Sequence, residues 1–227
     1  MASMFHVELA SEEELPDLVG LIIPTFAHYG LEQLVGNFNT PEGIKAATER
    51  HLRAWRDHVE ETGRPLGVKC LHQDAASGQE TMVACAYWAV FDRPRSPEDM
   101  EKVNYLLSGA WLPEEQRVMA RARLQPVLDM RTKWLAGRGH AILMYMATDT
   151  AWRRQGAATA VVQWGLDLCK ELGIVAYLEA SEEGRPVYQK LGFEVVEEVE
   201  FEPGEVGRAM IWWPLGTKED DKRPMEA

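Results

Sequence analysis

The six residues Arg153-Arg154-Gln155-Gly156-Ala157-Ala158 constrain this chain more than any other stretch. They follow the apolar run 141–146, which reads as a buried strand. They precede a segment in which Ala158, Val161, Val162, Gly165, Leu168, Cys169 and Leu172 repeat at helical spacing, with Gly173 placed to stop the helix. The spacing predicts a helix from near Gln155, so the arginines and the glycine fall at a strand-to-helix turn. At such a turn the first N–H groups of the helix lack intrahelical partners and its positive end faces outward. Small side chains at Gly156, Ala157 and Ala158 let a bulky anion reach those amides, while Arg153 and Arg154 add charge-assisted donors. The segment predicts a phosphate cradle, although an ordinary strand, turn and helix with solvated arginines would use the same residues. Other phosphate motifs fit badly. The dinucleotide fingerprint needs three glycines and the Walker loop ends in Gly-Lys-Ser/Thr, whereas Gly156 is followed by Ala157, Ala158 and Thr159.

Downstream, residues 174–180 form a short apolar run typical of a buried strand. Ser181-Glu182-Glu183-Gly184-Arg185-Pro186-Val187-Tyr188-Gln189-Lys190-Leu191-Gly192-Phe193 then reads as a loop, a short helix and an exit into another strand. Together the two blocks resemble the GNAT superfamily of N-acetyltransferases. Residues 153–158 match that family's acetyl-CoA pyrophosphate loop (Arg/Gln-x-x-Gly-x-Gly/Ala), and residues 187–193 match its tyrosine-bearing last helix. The resemblance spans residues 141–201, roughly a quarter of the chain. It implies that the amides of Gln155, Gly156, Ala157 and Ala158 hold the pyrophosphate of acetyl-CoA beside Arg153 and Arg154. It also implies that the strand backbone at Met146 and Thr148 pairs with the pantetheine arm, and that Tyr188 sits near the cofactor's sulfur. The family often carries Asn where Ser181 stands, so Ser181 is the position carried over for that cofactor contact. The implied fold is α/β, a central mixed, mainly antiparallel twisted sheet flanked by helices.

Acetyl transfer to an amine needs a neutral nucleophile, donors for the developing oxyanion, and a proton for the leaving thiolate. A phenol with a pKa of about 10 stays protonated at neutral pH, close enough to a thiol's roughly 8.5 for Tyr188 to act as that acid. A half-buried packing tyrosine is the plainer alternative. A strand N–H near Met146 suits the oxyanion. For the base, Glu179, Asp149 and Asp92 are candidates, each also readable as a solvated charge at a strand end.

The chain has 227 residues, 46% hydrophobic and 26% charged, enough to bury a full core. No apolar run approaches the roughly 18 residues of a membrane span, and the N-terminus lacks a basic region followed by an apolar stretch, so a soluble cytoplasmic protein is expected. Cys70, Cys85 and Cys169 are odd in number, widely spaced and in apolar contexts, which predicts reduced core residues rather than disulfides. The six His offer no ligand pair with supporting Cys or acid spacing, so no metal is expected; His51 and His58 read as a polar helix face. A net charge of −12 argues against nucleic acid. It also makes a local cationic exception at Arg153 and Arg154, with Lys190, necessary for a polyanionic cofactor.

The remaining pattern extends the α/β reading. Residues 5–9 alternate as a strand, Ser11 and Glu14 suit a capping box before Leu15, Leu18, Val19 and Ile22, and Pro16 shifts the helix start later. Thr40-Pro41 opens a helix to about Glu61, stopped by Gly63 and Pro65, and residues 66–72 and 81–91 form a hairpin. Residues 92–138 read as a helical insertion between the third and fourth strands, with helices near 98–107 and 114–134, the latter interrupted or bent at Pro126. Either this insertion covers the acceptor site or it is a stabilising cap. Residues 193–201 and 206–213 form a last hairpin around Glu202-Pro203-Gly204-Glu205. Trp212 and Trp213 point to opposite faces there, one into the core and the other toward a cleft or a homodimer contact. Residues 1–216 are expected as a single domain and the polar stretch 217–227 as a disordered tail. The expected activity is acetylation of a primary amine, a small molecule, by direct attack in a ternary complex, since no cysteine lies in a His-paired nucleophile context. A protein or peptide acceptor, or a non-catalytic acyl-CoA-binding module, are the alternatives.

Overall fold

The computed structural model describes residues 5–26, 40–102, 105–202 and 205–224. Strands β1 (Phe5–Leu9), β2 (Gly67–Gln73), β3 (Glu80–Phe91), β4 (His140–Thr148), β5 (Val175–Ala180), β6 (Glu194–Glu202) and β7 (Glu205–Trp212) join in a sheet of order β1-β2-β3-β4-β5-β7-β6. The β4–β5 pair is parallel, while β1–β2, β2–β3, β5–β7 and β6–β7 are antiparallel. The result is the expected mixed, mainly antiparallel sheet flanked by helices. Residues 83–90 of β3 are buried without alternation, as a strand covered on both faces requires. The chain divides into two compact units, residues 1–88 with 144–164 and residues 89–143 with 165–227.

In the first unit, helices α1 (Leu15–Phe26) and α2 (Pro41–Thr62) carry the apolar stripes. Ser11 and Glu14 form the capping box, with the Ser11 N–H donating to Glu14 Oε2 at 2.9 Å across a 3-10 turn. Pro16 does not delay α1, because a residue in the first helical turn has no N–H bond to lose. Thr40 caps α2 by accepting from Gly43 N–H at 3.1 Å, and Gly63 ends it in the left-handed region, φ 70°. The buried face of α2 is Ala47, His51, Ala54, Trp55 and His58. The polar-face reading of His51 and His58 is therefore corrected: both side chains are buried. They share the i, i+4, i+7, i+8, i+11 stripe of Ala47, Ala54 and Trp55, and a neutral imidazole is small enough to pack there.

In the second unit, the insertion forms α3 (Pro97–Glu101), α4 (Tyr105–Ser108) and α5 (Glu114–Leu135). The single helix expected near 98–107 is thus two short ones, and residues 103–104 lie outside the described residues. Pro126 does not interrupt α5. Where the proline leaves the Ala122 carbonyl without its N–H partner, a side-chain relay spans the break: Arg121 Nε donates to Gln125 Oε1 at 3.1 Å, and Gln125 Nε2 to Asp129 Oδ1 at 2.6 Å. The end of α5 is tied down by Lys133 and the Trp134 indole, both donating to Glu197 at 2.8 Å.

The expected disordered tail is also corrected through residue 224. It makes a 3-10 turn at Glu219–Asp221, and the Arg138 guanidinium, lying over Trp213, donates to the carbonyls of Asp221 (3.2 Å) and Arg223 (2.9 Å). Those backbone acceptors order a stretch whose side chains alone predict none. Trp213 is buried and Trp212 half-buried against Gly192. Pro203 and Gly204 of the expected last turn lie outside the described residues. Among the described residues no helix is long and apolar enough to cross a membrane.

Two outcomes follow from this packing. A Cβ on Gly67 would lie 2.6 Å from Trp55 Cη2 and 2.9 Å from Leu18 Cδ2. Gly67→Val is expected to lower stability by about 2 kcal/mol, read as a lower urea midpoint at unchanged slope. Burial holds His51 and His140 neutral, with pKa values pushed down from 6.5 to about 4. Below pH 6.5 the unfolded chain takes up protons that the folded chain refuses. Stability should therefore fall as pH drops from 6.5 toward 4, by up to about 3 kcal/mol per histidine, and His51→Gln should flatten that dependence in urea titrations.

Candidate active site

The C-terminal half of β4 and the start of the following helix build one cluster inside the first unit. Asp149 leaves β4 with its N–H donating to the Val83 carbonyl of β3 at 2.9 Å. Its Oδ1 accepts from Ala151 N–H at 2.8 Å and caps a single 3-10 turn, Thr150–Trp152. The Trp152 ring sits 4.2 Å from the His72 ring and 6.2 Å from Phe5, so aromatic groups of β1 and β2 anchor the turn. Gln155 Nε2 donates to the Ala151 carbonyl at 3.0 Å.

Helix α6 (Ala157–Leu172) then begins two residues later than the spacing predicts. The reason is backbone conformation: Arg154 has φ 61° and Gly156 φ 99°, neither compatible with a helix. Among the described residues Arg154 is the one non-glycine in the positive-φ region. Alternation of φ sign across Arg154, Gln155 and Gly156 curls successive N–H groups toward one side, the geometry of an anion nest. The first α-helical bond of α6 runs from Ala160 N–H to the Gly156 carbonyl at 3.0 Å. The amides of residues 156–159 therefore precede any intrahelical partner, and no acidic side chain occupies the first turn. A Cβ on Gly156 would point into open space, meeting nothing nearer than Phe5 at 3.9 Å. Arg153, Arg154, Gln155 and Gly156 are exposed, Ala158 is half-buried and Ala157 is buried. This is room for a phosphate at the start of α6, with two exposed arginines next to it in sequence, so the residues present fit a diphosphate-bearing ligand.

Met146 and Thr148 share one face of β4, with the Thr148 hydroxyl 3.8 Å from Met146 Sδ. The ladder of β4 with β5 covers His140↔Val175 to Ile142↔Tyr177, and β4 continues through residues 143–148 beyond its end.

Ser181 and Tyr188 lie together in the second unit. Ser181 Oγ accepts from Gly184 N–H at 3.2 Å, and the Ser181 carbonyl accepts from Arg185 N–H at 3.0 Å, starting α7 (Arg185–Lys190). A Cβ on Gly184 would lie 3.0 Å from Tyr188 Cε2 and 3.3 Å from Ser181 Oγ, so glycine is what lets the ring and hydroxyl approach each other. Tyr188 is buried and packs edge-on to Phe193, ring centroids 5.8 Å apart.

Two carboxylates considered as bases have structural employment. Glu179 is gripped by Arg131 of α5 through two bonds of 2.8 Å, with both side chains largely buried. Asp149 is the cap described above, and Asp92 is exposed just past β3. Burial pushes the thiols of Cys70, Cys85 and Cys169 up to about 11, 12 and 12, so none is a thiolate at neutral pH. Among the described residues no group of three or more His, Cys, Asp or Glu is arranged to hold a metal ion.

The sequence reading missed a second cluster in the first unit. His51 of α2 packs against Tyr87 of β3 (5.6 Å) and Tyr145 of β4 (5.8 Å), with Phe26 5.5 Å from Tyr145 and Trp55 6.1 Å from Tyr87. The signal that could have found it is the α2 stripe itself, which places His51 between Ala47 and Trp55.

A family model described as the acetyltransferase (GNAT) family matches residues 82–193. An acetyltransferase of Stachybotrys chartarum is 26% identical over 151 residues, 64% of this chain and 61% of that protein, so the match spans less than two thirds of this curated relative. A solved structure described as histone acetyltransferase HPA2 and related acetyltransferase, from Corynebacterium glutamicum, is similar with TM-score 0.55 and 18% identity, covering 95% of this chain and 99% of that one. The polyamine N-acetyltransferase of Drosophila melanogaster is similar with TM-score 0.53 and 14% identity, covering 92% and 99%. At these identities the structural likeness establishes the fold.

Inorganic pyrophosphate is a minimal probe of the cradle. Calorimetry should show binding that falls about tenfold or more in Gly156→Glu, because the new carboxylate occupies the open space and repels the anion. Unchanged affinity would refute the cradle.

Proposed function

We propose, from the premise that this chain belongs to the acetyltransferase (GNAT) family, that it is an acetyl-CoA-dependent N-acetyltransferase acting on a primary amine of a small molecule. The observation that carries this reading is the open first turn of α6, with Gly156 at φ 99° and Arg153 and Arg154 beside it, in a chain of net charge −12. A polyanionic ligand is repelled by the average field of such a chain and needs a local exception of this kind.

When bound, acetyl-CoA supplies an acetyl group activated as a thioester. The chain's residues do the rest. The amides of Gln155, Gly156, Ala157 and Ala158, with Arg153 and Arg154, hold the diphosphate. The β4 backbone at Met146 and Thr148, past the last β5 pair, runs along the pantetheine arm, and an N–H near Met146 faces the charge that develops on the carbonyl oxygen. Ser181 contributes by setting the turn that opens α7. Tyr188, on that helix, donates its phenolic proton to the departing sulfur. Direct attack by the amine in a ternary complex is favoured over an acyl-enzyme, because all three thiols are buried and held protonated. Proteins of this fold carry names that refer both to histones and to polyamines, so the fold leaves the acceptor to this chain's own residues.

The test is thiol release from acetyl-CoA with a panel of amines. Tyr188→Phe should lose turnover by about 100-fold while keeping acetyl-CoA affinity within about twofold by calorimetry. Equal turnover would remove Tyr188 from the acid role, and absence of thiol release with every amine would overturn the enzymatic reading.

A further inference from the structure

Two polar atoms at the centre of the first unit have no hydrogen-bond partner: His51 Nδ1 and the Tyr87 hydroxyl. Their residues are 1% and 0% exposed. A buried polar atom without a partner is costly, and two in one cluster point to a place where something else supplies the partner. The surrounding rings come from four elements: Phe26 at the end of α1, Trp55 on α2, Tyr87 on β3 and Tyr145 on β4. Phe26 and Tyr145 are half-buried, while His51, Trp55 and Tyr87 are buried. Tyr145 directly precedes Met146, so on an alternating strand its side chain stands on the face opposite to Met146, one residue from the proposed path of the cofactor arm.

The charge of the cluster is as informative as its shape. Among the described residues the influences on the His51 imidazole are burial first and the Arg50 guanidinium second, both disfavouring its cation. The Tyr87 phenol is held protonated by burial, with the Cys85 thiol and the Tyr145 phenol adding to the effect. Among the described residues of the cluster none is acidic. A site of this kind offers aromatic surface, a neutral imidazole and phenol hydroxyls, and nothing to balance an ammonium. Desolvation in such surroundings favours the uncharged amine.

We propose that the His51–Tyr87–Tyr145 cluster is the acceptor site, and that it takes a primary amine with a single nitrogen and an apolar body, bound as the free base. The apolar body lies on Phe26 and Tyr145, and the amine's two N–H groups donate to His51 Nδ1 and to the Tyr87 hydroxyl oxygen, which leaves the lone pair free to attack. The ammonium gives one proton to solvent on entry, the neutral nitrogen attacks, and the second proton it sheds after attack passes to solvent, balancing the one that Tyr188 gives to the departing sulfur. No carboxylate base is needed, in keeping with the engagement of Glu179 and Asp149 elsewhere. This inference rests on the N-acetyltransferase reading for the reaction, but the binding it asserts stands independently.

The experiment is calorimetric binding of cyclohexylamine and the less basic benzylamine to the full chain with CoA present, from pH 6 to about pH 11. Apparent affinity should rise about tenfold per pH unit and level off at each amine's own pKa, so the break comes at lower pH for benzylamine. Putrescine, which keeps a second charge, should bind at least about tenfold more weakly than cyclohexylamine. Tyr87→Phe removes one hydroxyl with little packing change and should weaken both monoamines about tenfold, as should His51→Leu, with His51→Gln restoring part of the loss. A break at the same pH for both amines, or tighter binding of putrescine, or full affinity in Tyr87→Phe and His51→Leu, would overturn the proposal. If the monoamines bind as expected but no thiol is released from acetyl-CoA, the transferase reading fails while the site stands. If thiol is released and the variants change neither affinity nor KM, the site fails while the transferase reading stands.

Discussion

The constraint on which the rest of the reading depends is a backbone one: α6 cannot begin before Ala157, because Arg154 and Gly156 hold positive φ angles. Had the helix started at Gln155, its opening amides would follow a regular turn and a side chain would fill the space that glycine leaves. Instead the polypeptide exits β4, is capped at once by Asp149 and is pinned by Trp152 against His72 and Phe5. The strain of a left-handed arginine, of order 1–3 kcal/mol, is tolerated because the neighbouring turn fixes the chain on both sides. Strain of this kind concentrates where a ligand must reach the backbone. Here it falls on Arg154, an exposed arginine two residues before Gly156.

The turn and helix proposed as the cradle were legible in the sequence because their pattern is local. Spacing within residues 153–173 gives the helix, glycine gives the close approach, and the arginines give the sign of the ligand. The same locality explains why Ser181, Gly184 and Tyr188 read correctly as one loop and short helix. Their exact service was less legible: Ser181 spends its hydroxyl on the Gly184 amide, a contact that sequence spacing permits but does not require.

What could not be read depends on contacts between distant segments. Glu179 reads as a charge at a strand end until Arg131, 48 residues earlier, is found to grip it. Helix α5 runs on through Pro126, and side-chain bonds among Arg121, Gln125 and Asp129 link its surface on either side of the lost backbone bond. The ordered end of the chain depends on Arg138 reaching carbonyls 83 and 85 residues away. His51 is the most instructive case. Residue type argued for water, whereas helical phase, shared with Ala47, Ala54 and Trp55, argued for the core. Phase prevailed, since a helix buries a whole stripe and a neutral imidazole can be accommodated there when burial suppresses its cation.

Two electrostatic regimes therefore coexist within the first unit. At the start of α6, exposed arginines and amides that precede the first helical bond make a positive spot on a chain of net charge −12. Around His51, aromatic burial makes a spot that disfavours a cation, and the nearby Arg50 guanidinium adds to that effect. For transfer of an acyl group between a polyanion and an amine, the combination is coherent. The first spot holds the anion by charge, and the second accepts the amine only once its own charge is gone. An acidic residue in the second spot would hold the ammonium and so oppose the loss of the proton that attack requires. The absence of a well-placed free carboxylate among the three candidate bases then ceases to be a gap in the chemistry. Desolvation and carboxylate catalysis are alternative ways to obtain the same neutral nitrogen, and the His51 cluster is built for desolvation.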